Sequence, residues 1–211
     1  MNKINKNDFD EIQLFSTPVY TTFDLESVTL VKQVAEDLIY QNSSDTKMSG
    51  SFFHDERIFD FAQYILQTSW NLLKHQGYLM ENYNTIYESM WLQTYEKHSY
   101  MDHHTHGNGN QIVGFYFLEV PEKSVQVLLH DPRAGKLQID LDESDISQVT
   151  QGSKFVVLTP QVGQLILTPA WLAHSVTANQ SDKPVKFVHI NIQAQRVANN
   201  QSCATPEVEI I

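Results

Sequence analysis

The sequence His104-Thr105-His106, followed much later by His174, decides how this chain folds and what it binds. Residues two positions apart on an extended strand point to the same face, so His104 and His106 can hold one metal ion together. A third histidine from a returning strand completes a triangle of ligands and leaves the other metal positions open. Open positions on an iron ion are what oxygen chemistry requires. The pattern predicts a metal site at the mouth of a β-barrel.

The composition indicates one globular unit with an acidic surface. The chain has 211 residues, of which 41% are hydrophobic and 18% are charged, and its formal net charge is -11. This length suits a single domain over residues 1–211. The acidic excess argues against a nucleic-acid partner, because a phosphate backbone attracts basic surfaces. The sequence leaves the oligomeric state open.

We expect no targeting or membrane-spanning segment in this sequence. Residues 1–10 are polar and lack the apolar core of a signal peptide. No segment approaches the roughly 20 apolar residues of a membrane span. The one cysteine, Cys203, excludes a disulfide framework and is typical of a reducing compartment. We therefore expect a soluble, cytoplasmic protein with no membrane partner.

Two helices are predicted in the first part of the chain, after an extended entry strand at Leu14 to Tyr20. Asp24 or Ser27 can cap a helix whose apolar stripe runs from Val31 to Ile39. A second apolar stripe predicts a helix from Glu56 to Gln76. Each helix has one apolar stripe, so each needs one partner surface.

After Tyr83 the pattern changes to short strands separated by turn residues. The predicted strands are 88–95, 112–120, 125–129, 136–139, 154–158, 164–168, 175–177 and 185–192. Helices followed by many short strands predict a mainly β (α+β) fold, a sandwich or barrel with two helices on one sheet. We expect residues 14–83 to form the strand and supporting helices, 84–193 the β core and 194–211 a tail.

Four of the nine histidines lie between residues 98 and 106. One interpretation of this cluster is a polar loop without ligands. Two features count against it. The cluster lies between strands, where a barrel has its mouth, and His174 follows the predicted strand that begins near Gly163. The cluster is better explained as part of a metal site.

The segment from Tyr95 to His106 resembles the part of the 2-oxoglutarate/Fe(II) dioxygenases of the prolyl-hydroxylase type that carries their His-x-Asp metal pair. The nine-residue step from Tyr95 to His104 matches the family register and selects His104 over His103 as the first ligand. A bacterial and phage subgroup has His-x-His instead, as here. The resemblance extends over about residues 14–193.

Two later segments carry the same resemblance. Gly163 to His174 is similar to the family's distal-histidine signature, and Val185 to Asn191 is similar to its closing strand. The resemblance implies a double-stranded β-helix, which is a jelly-roll fold of the cupin kind. It also implies Fe(II) as the metal, bound at a catalytic site of His104, His106 and His174.

The resemblance implies 2-oxoglutarate as co-substrate and dioxygen as oxidant. Lys186, on the closing strand, is then expected to pair with the far carboxylate of 2-oxoglutarate. Tyr95 is a further candidate for cofactor binding, together with Gln93 on its face of the strand and Asn191, expected on the face of Lys186. The implied reaction hydroxylates a small molecule or a protein side chain and converts 2-oxoglutarate to succinate and carbon dioxide.

Arg133 and Trp171 are candidate substrate residues. Arg133 follows Asp131 and Pro132, so a turn with a surface ion pair is the alternative for its side chain. Trp171 lies beside the distal histidine, where packing is the alternative to substrate contact. The sequence does not identify the substrate.

The chain departs from the family pattern in its ligands. Position 106 is histidine where the family has a carboxylate, which leaves Asp102 as an alternative second ligand. Lys186 stands for the family arginine and supplies charge without the planar fork. These departures leave two alternatives open. One is a three-histidine cupin-type dioxygenase that does not use 2-oxoglutarate. The other is a non-catalytic jelly-roll module with a metal-binding or structural role.

Overall fold

The computed structural model describes residues 14–41 and 46–197 of the chain. Its helices are α1 (Val28–Glu36) and α2 (Phe59–His75). Single 3-10 turns lie at Glu56–Ile58, Met80–Asn82 and Ala134–Gln138. The strands are β1 (Tyr20–Phe23), β2 (Ile39–Gln41), β3 (Thr46–Ser49), β4 (Tyr83–Tyr95), β5 (Met101–His104), β6 (Asn110–Glu119), β7 (Val127–His130), β8 (Phe155–Leu158), β9 (Gln164–Pro169), β10 (His174–Val176) and β11 (Val185–Arg196).

The strands form two antiparallel sheets. The large sheet has the order β1-β9-β6-β11-β4-β3-β2, and the small sheet has the order β5-β10-β7-β8. The long strands β4 and β11 pair along their whole length in the middle of the large sheet. In the small sheet β10 lies between β5 and β7. The protein is therefore mainly β, with two helices.

Two separate hydrophobic cores hold these layers together. The outer core lies between the helices and the large sheet, and α1 contributes Val31, Val34 and Ala35 to it. The inner core lies between the two sheets. It contains residues of the large sheet such as Phe115 and Phe187 and residues of the small sheet such as Leu129. Both helices thus cover one face of the large sheet, as their single apolar stripes predict.

Several predicted boundaries are wrong because tertiary pairing overrides the local pattern. Helix α1 ends at Glu36, since Ile39 begins β2, which pairs with β3. The predicted strand at Lys136–Ile139 is a 3-10 turn, Ala134–Gln138. The entry strand begins only at Tyr20, where β1 pairs with β9.

The ends of the chain are described in part. Strand β11 continues to Arg196, so the predicted tail is shorter than expected at its start. Residues 198–211, with Cys203, lie outside the described residues. In the described ranges, no helix has the length and apolar character that crossing a bilayer requires.

Gly163 sits at the turn into β9 and is held from both sides. Its amide donates to the Phe117 carbonyl at 2.8 Å, and its own carbonyl accepts from the Asp24 amide at 2.8 Å. Its φ is +78°, and an added Cβ would lie 2.6 Å from Leu25 Cδ2 and 3.1 Å from the Asp24 carbonyl oxygen. Only glycine satisfies both the backbone angle and this close approach.

We expect Gly163→Ala to lower the free energy of unfolding by more than the roughly 1–2 kcal/mol that a left-handed conformation costs a residue with a Cβ. Gly77→Ala is the matched control, because Gly77 has φ +98° and nothing within 4 Å of an added Cβ. Urea denaturation of both variants measures the difference. If both variants lose the same free energy of unfolding, the close contact of Gly163 with Asp24 and Leu25 does not restrict this position.

Candidate metal centre

Three histidine side chains converge at one end of the space between the sheets. β5 ends at His104 and β10 begins at His174, and these two residues are direct partners in the small sheet. His106 follows two residues later, where its amide donates to the Ala170 carbonyl at 2.9 Å. One nitrogen atom from each of His104, His106 and His174 lies within 4.8 Å of the others. The Nε2 atoms of His104 and His106 are 3.1 Å apart.

Backbone carbonyls fix the tautomers of two of these rings. The Nδ1–H of His104 donates to the Asp102 carbonyl at 2.7 Å, and the Nδ1–H of His174 donates to the Leu172 carbonyl at 3.0 Å. A carbonyl only accepts, so the proton is on Nδ1 and the lone pair is on Nε2. Metal-binding histidines commonly use this arrangement, which orients the ring and directs Nε2 at the ion.

Burial favours the neutral, metal-binding form of the His106 and His174 rings. Burial lowers the pKa of His174 from 6.5 to about 4. It also lowers the pKa of His106, as does the neighbouring His104, while the nearby Asn191 and Glu88 act in the opposite direction. Neutral imidazoles are the ligand form, so these rings need not lose a proton at pH 7 to coordinate a cation.

The donor set fits a transition-metal ion. Two nitrogen ligands at about 2.1 Å from an ion and at right angles to each other are about 3 Å apart, close to the spacing of the His104 and His106 nitrogens. The Nε2 atom of His174 is buried and has no hydrogen-bond partner among the described residues. Three imidazoles suit iron and zinc, and the three rings would hold such an ion from one side.

A second set of side chains holds the ligand rings in place. His189, fully buried on β11, lies between Trp91 and His106. Its ring centroid is 4.4 Å from that of Trp91 and 4.9 Å from that of His106, and both pairs are stacked. Phe115 contacts His174 edge to face at 5.1 Å. The stacked order of Trp91, His189 and His106 restrains the rotation of the His106 ring.

Asn191 lies beside this stack. Its Nδ2 group donates to Ser89 Oγ at 3.1 Å and to Glu88 Oε2 at 3.3 Å. Glu88 therefore supplies negative charge near His106, although no carboxylate is in the ligand cluster. Asn191 was predicted to bind a cofactor, and the structure places it next to a ligand ring.

The alternation of β11 separates two predicted residues. Lys186 and Asn191 are five positions apart, so they lie on opposite faces, contrary to the expectation that they share one. Lys186 Nζ contacts Glu36 of α1 at 2.5 Å and Glu119 of β6 at 3.4 Å, on the face that the helices cover. This placement does not fit the predicted pairing of Lys186 with 2-oxoglutarate, because the histidines lie on the other face.

The remaining cofactor candidates lie on the inner face. Tyr95 is fully buried in the inner core, and its ring contacts Phe187 edge to face at 5.2 Å. Its hydroxyl has no hydrogen-bond partner among the described residues. Gln93 is half-buried on the same face of β4, opposite Phe187 in the register. The structure thus brings Tyr95 and Gln93 to the side of the sheet that carries the three histidines.

Asp102 and Trp171 lie outside the ligand cluster. Asp102 is exposed and contributes its backbone carbonyl to His104 rather than its carboxylate, and the cluster contains His106 instead. Trp171 is 50% exposed at the turn before His174.

Arg133 lines a cavity of about 810 Å³ beside the site. Its guanidinium donates to both carboxylate oxygens of Asp131, at 2.9 and 2.8 Å, which is the turn ion pair that the Asp-Pro-Arg sequence allows. Leu129 and Leu172 line the same cavity, and both are direct neighbours of His174 in the hydrogen-bonded framework.

Sequence reasoning missed the parts played by Trp91, Phe115 and the inner face of β11. A signal was available for β11, since Val185, Phe187, His189 and Asn191 are alternate residues. Starting the inner face at Val185 instead of Lys186 gives the observed arrangement. No local pattern marks Trp91 or Phe115, because their partners come from distant strands.

The comparisons with known proteins agree with this geometry. Residues 89–187, which include all three histidines, match the family model described as "Putative 2OG-Fe(II) oxygenase". No curated protein matches the chain. Among solved structures, a 2OG-Fe(II) oxygenase family oxidoreductase from Burkholderia pseudomallei has 10% identity and a TM-score of 0.56, with 88% of each chain covered.

Two prolyl hydroxylases are similar to the same degree. The viral collagen prolyl hydroxylase of Paramecium Bursaria Chlorella virus-1, solved with 2OG, has 13% identity and a TM-score of 0.56 over 82% of this chain and 94% of that chain. A prolyl-4-hydroxylase from Pseudomonas putida has 10% identity and a TM-score of 0.56 over 84% and 93%. At these identities the likeness concerns the fold.

We expect His104→Ala, His106→Ala and His174→Ala each to lose stoichiometric Fe(II) binding, because each removes one of three protein ligands. The expected loss of affinity is roughly 100-fold or more, measured by anaerobic calorimetry. His103→Ala is the control, since the His103 ring contacts His130 at 4.5 Å and is not in the cluster.

Two outcomes would change this assignment. Full iron occupancy in both His104→Ala and His174→Ala would contradict the site. Retention of iron in His106→Ala alone would point to Asp102 or water as the second ligand.

The metal-free protein should lose stability as the pH falls from about 7 to about 4. Unfolded His174 takes up a proton near its ordinary pKa of 6.5, whereas folded His174 does so only near 4. The unfolded state therefore binds more protons in this window, which lowers the free energy of unfolding by roughly 3 kcal/mol at its acid end. Urea denaturation with a chelator present, at several pH values, measures this slope.

His174→Gln should have a smaller slope between pH 7 and pH 4. It should keep part of the slope, because burial also lowers the pKa of His189 and of His106. An unchanged slope in His174→Gln would show that the pKa of His174 is the same in the folded and the unfolded protein.

Proposed function

We propose that this chain, whose residues 89–187 match the model of a 2OG-Fe(II) oxygenase family, belongs to that superfamily and hydroxylates an organic substrate at a three-histidine iron site. One observation carries the proposal: the Nε2 atoms of His104 and His106 face each other at 3.1 Å beside the buried, unpartnered Nε2 of His174, within the matched region. The description of the matched family implies Fe(II) and 2-oxoglutarate as cofactors, and under this proposal the chain is an oxidoreductase.

When bound, the cofactors supply the oxidation: dioxygen is consumed, 2-oxoglutarate leaves as succinate and carbon dioxide, and one oxygen atom enters a C–H bond of the substrate. The protein's part is to hold and orient. His104, His106 and His174 would bind the metal through their ring nitrogens. The Asp102 and Leu172 carbonyls hold two of these rings through Nδ1.

The site is closed on one side and open on the other. His174 is fully buried against Phe115, whereas His104 and His106 are half-buried. Solvent-facing positions next to His104 and His106 would give a substrate access, and the buried side would keep water away from a bound metal ion. The loop after His106 contains Asn108 and Gly109 with positive φ, and Gln193 Nε2 donates to the Asn108 carbonyl at 2.9 Å. This loop forms one rim of the proposed entrance.

The cavity lined by Arg133 is the proposed position of the substrate. Its wall combines apolar side chains such as Leu129 and Leu172 with the Asp131–Arg133 ion pair. Leu172 accepts the hydrogen bond from His174, so the cavity borders the distal ligand. A small molecule and a protein side chain both remain candidate substrates for this cavity.

The architecture we propose is a double-stranded β-helix, the jelly roll of cupins, in one domain. The support is the arrangement of a four-stranded sheet against the inner face of the large sheet, with the histidines at one end and both helices on the outer face. Solved structures of 2OG-Fe(II) oxygenases share the fold at TM-scores of 0.56.

The test is the production of succinate by the purified protein with Fe(II), ascorbate, 2-oxoglutarate and dioxygen. Many oxygenases turn over the co-substrate slowly without substrate, so a substrate need not be known. We expect His174→Ala to reduce succinate formation by roughly 100-fold or more, because it removes a metal ligand, and His103→Ala to retain it.

The negative outcomes separate the alternatives. Oxygen uptake that needs no 2-oxo acid would favour a three-histidine dioxygenase of another kind. A folded, iron-loaded protein that neither consumes oxygen nor forms succinate would favour a non-catalytic module.

A further inference from the structure

The interior next to the three histidines is a continuous aromatic cluster. Phe115 contacts the His174 ring at 5.1 Å, and Phe187 follows at 6.1 Å from Phe115. Tyr95 and Phe117 lie beyond, at 5.2 and 5.5 Å from Phe187. Val185 closes this part of the inner core, and all five residues are fully buried. A ligand tail that extends from the metal site between the two sheets would meet these side chains.

Among the residues that the structure describes, no buried lysine or arginine lies in this interior. The nearest strand lysine in sequence, Lys186, pairs with Glu36 and Glu119 on the opposite face. Arg133 is 53% exposed at the rim of the cavity, and Asp131 occupies two of its donor groups.

A second carboxylate is poorly accommodated in such an interior. 2-Oxoglutarate carries one carboxylate beside the 2-oxo group, which can chelate a metal, and another at its far end. Moving an ionised carboxylate from water into an apolar region without a paired charge is strongly unfavourable. A tail of methyl and methylene groups gains free energy in the same place, because it removes apolar surface from water.

The polar atoms of this interior are uncharged, so they suit the 2-oxo acid group of a ligand better than a second carboxylate. The hydroxyl groups of Tyr95 and Thr168 are buried without hydrogen-bond partners among the described residues. Hydroxyl groups of this kind can serve the oxygen atoms of a chelating 2-oxo acid. Two neutral hydroxyls do not replace the charge that a buried far carboxylate needs.

We infer that the chelating co-substrate of this chain is a 2-oxo acid with a short, uncharged, apolar tail, bound in preference to 2-oxoglutarate. The inference rests on the proposed function, because it places the 2-oxo group on the metal of the three-histidine site. The tail lies against Phe115, Phe187 and Val185.

Two probes of equal chain length test the preference. 2-Oxopentanoate has the five-carbon skeleton of 2-oxoglutarate without the far carboxylate. The anaerobic Fe(II) protein is titrated with each acid, and binding is followed by the visible charge-transfer absorbance of the chelate and by thermal shift. We expect 2-oxopentanoate to bind at least tenfold more tightly. Equal affinity, or tighter binding of 2-oxoglutarate, overturns the inference.

Substitutions at Val185 supply a gain-of-function test with a matched control. Val185→Lys places a cation in the inner core, and Val185→Met places an uncharged chain of similar length there. We expect Val185→Lys to change the ratio of the two affinities at least tenfold in favour of 2-oxoglutarate. Val185→Met should still bind 2-oxopentanoate more tightly. If Val185→Lys does not fold, the titrations of the wild-type protein with the two acids still test the inference.

Two further variants locate the far carboxylate. Lys186→Met should leave both affinities unchanged, because Lys186 pairs with Glu36 and Glu119 on the opposite face. A selective loss of 2-oxoglutarate affinity in Arg133→Gln would place the far carboxylate at the rim and overturn the inference. Iron binding with tight 2-oxoglutarate binding refutes only this inference. Stoichiometric iron without a charge-transfer band for either acid refutes the proposed function as well.

Discussion

The antiparallel pairing of β10 with β5 sets His174 directly opposite His104, and the rest of the site is arranged around this register. β10 is only three residues long, yet β7 pairs with it on its other edge and fixes its position. A slip of one residue would turn His174 to the outer face of the small sheet. The backbone bond from His106 to Ala170 then adds the third ring to the same end.

Strand β11 divides the molecule into two chemically different sides. Val188, Ile190 and Ile192 pack under the helices, and Lys186 joins Glu36 and Glu119 there. The other side presents Val185, Phe187 and His189 to the small sheet. Basic charge is thus kept among acidic partners at the helix layer, while the side that faces the histidines is apolar and aromatic. The expected preference of the site for an uncharged 2-oxo acid follows from this separation of charged and apolar faces.

The metal centre is built from groups that are individually unfavourable. A buried imidazole nitrogen without a hydrogen bond, such as His174 Nε2, costs about 1–3 kcal/mol. The Nδ1 atom of His189 and the Oδ1 atom of Asn191 are also buried without a hydrogen-bond partner among the described residues. The surrounding strands hold these atoms away from water. A bound ligand can supply the interaction that each atom lost when it was buried. The stacking of Trp91, His189 and His106 keeps the ring orientation that this requires.

The sequence by itself determined the mainly β character, the two helices with one apolar stripe each and the three histidines that come together. These features depend on local periodicity and on the spacing of His104, His106 and His174. The sequence misplaced Lys186, missed β2 and β3, and read a 3-10 turn at Ala134–Gln138 as a strand. Only the tertiary structure decided these points, because the face of a strand and the ends of short elements depend on which strands pair. Pairing joins residues far apart in the chain, and no local pattern encodes it.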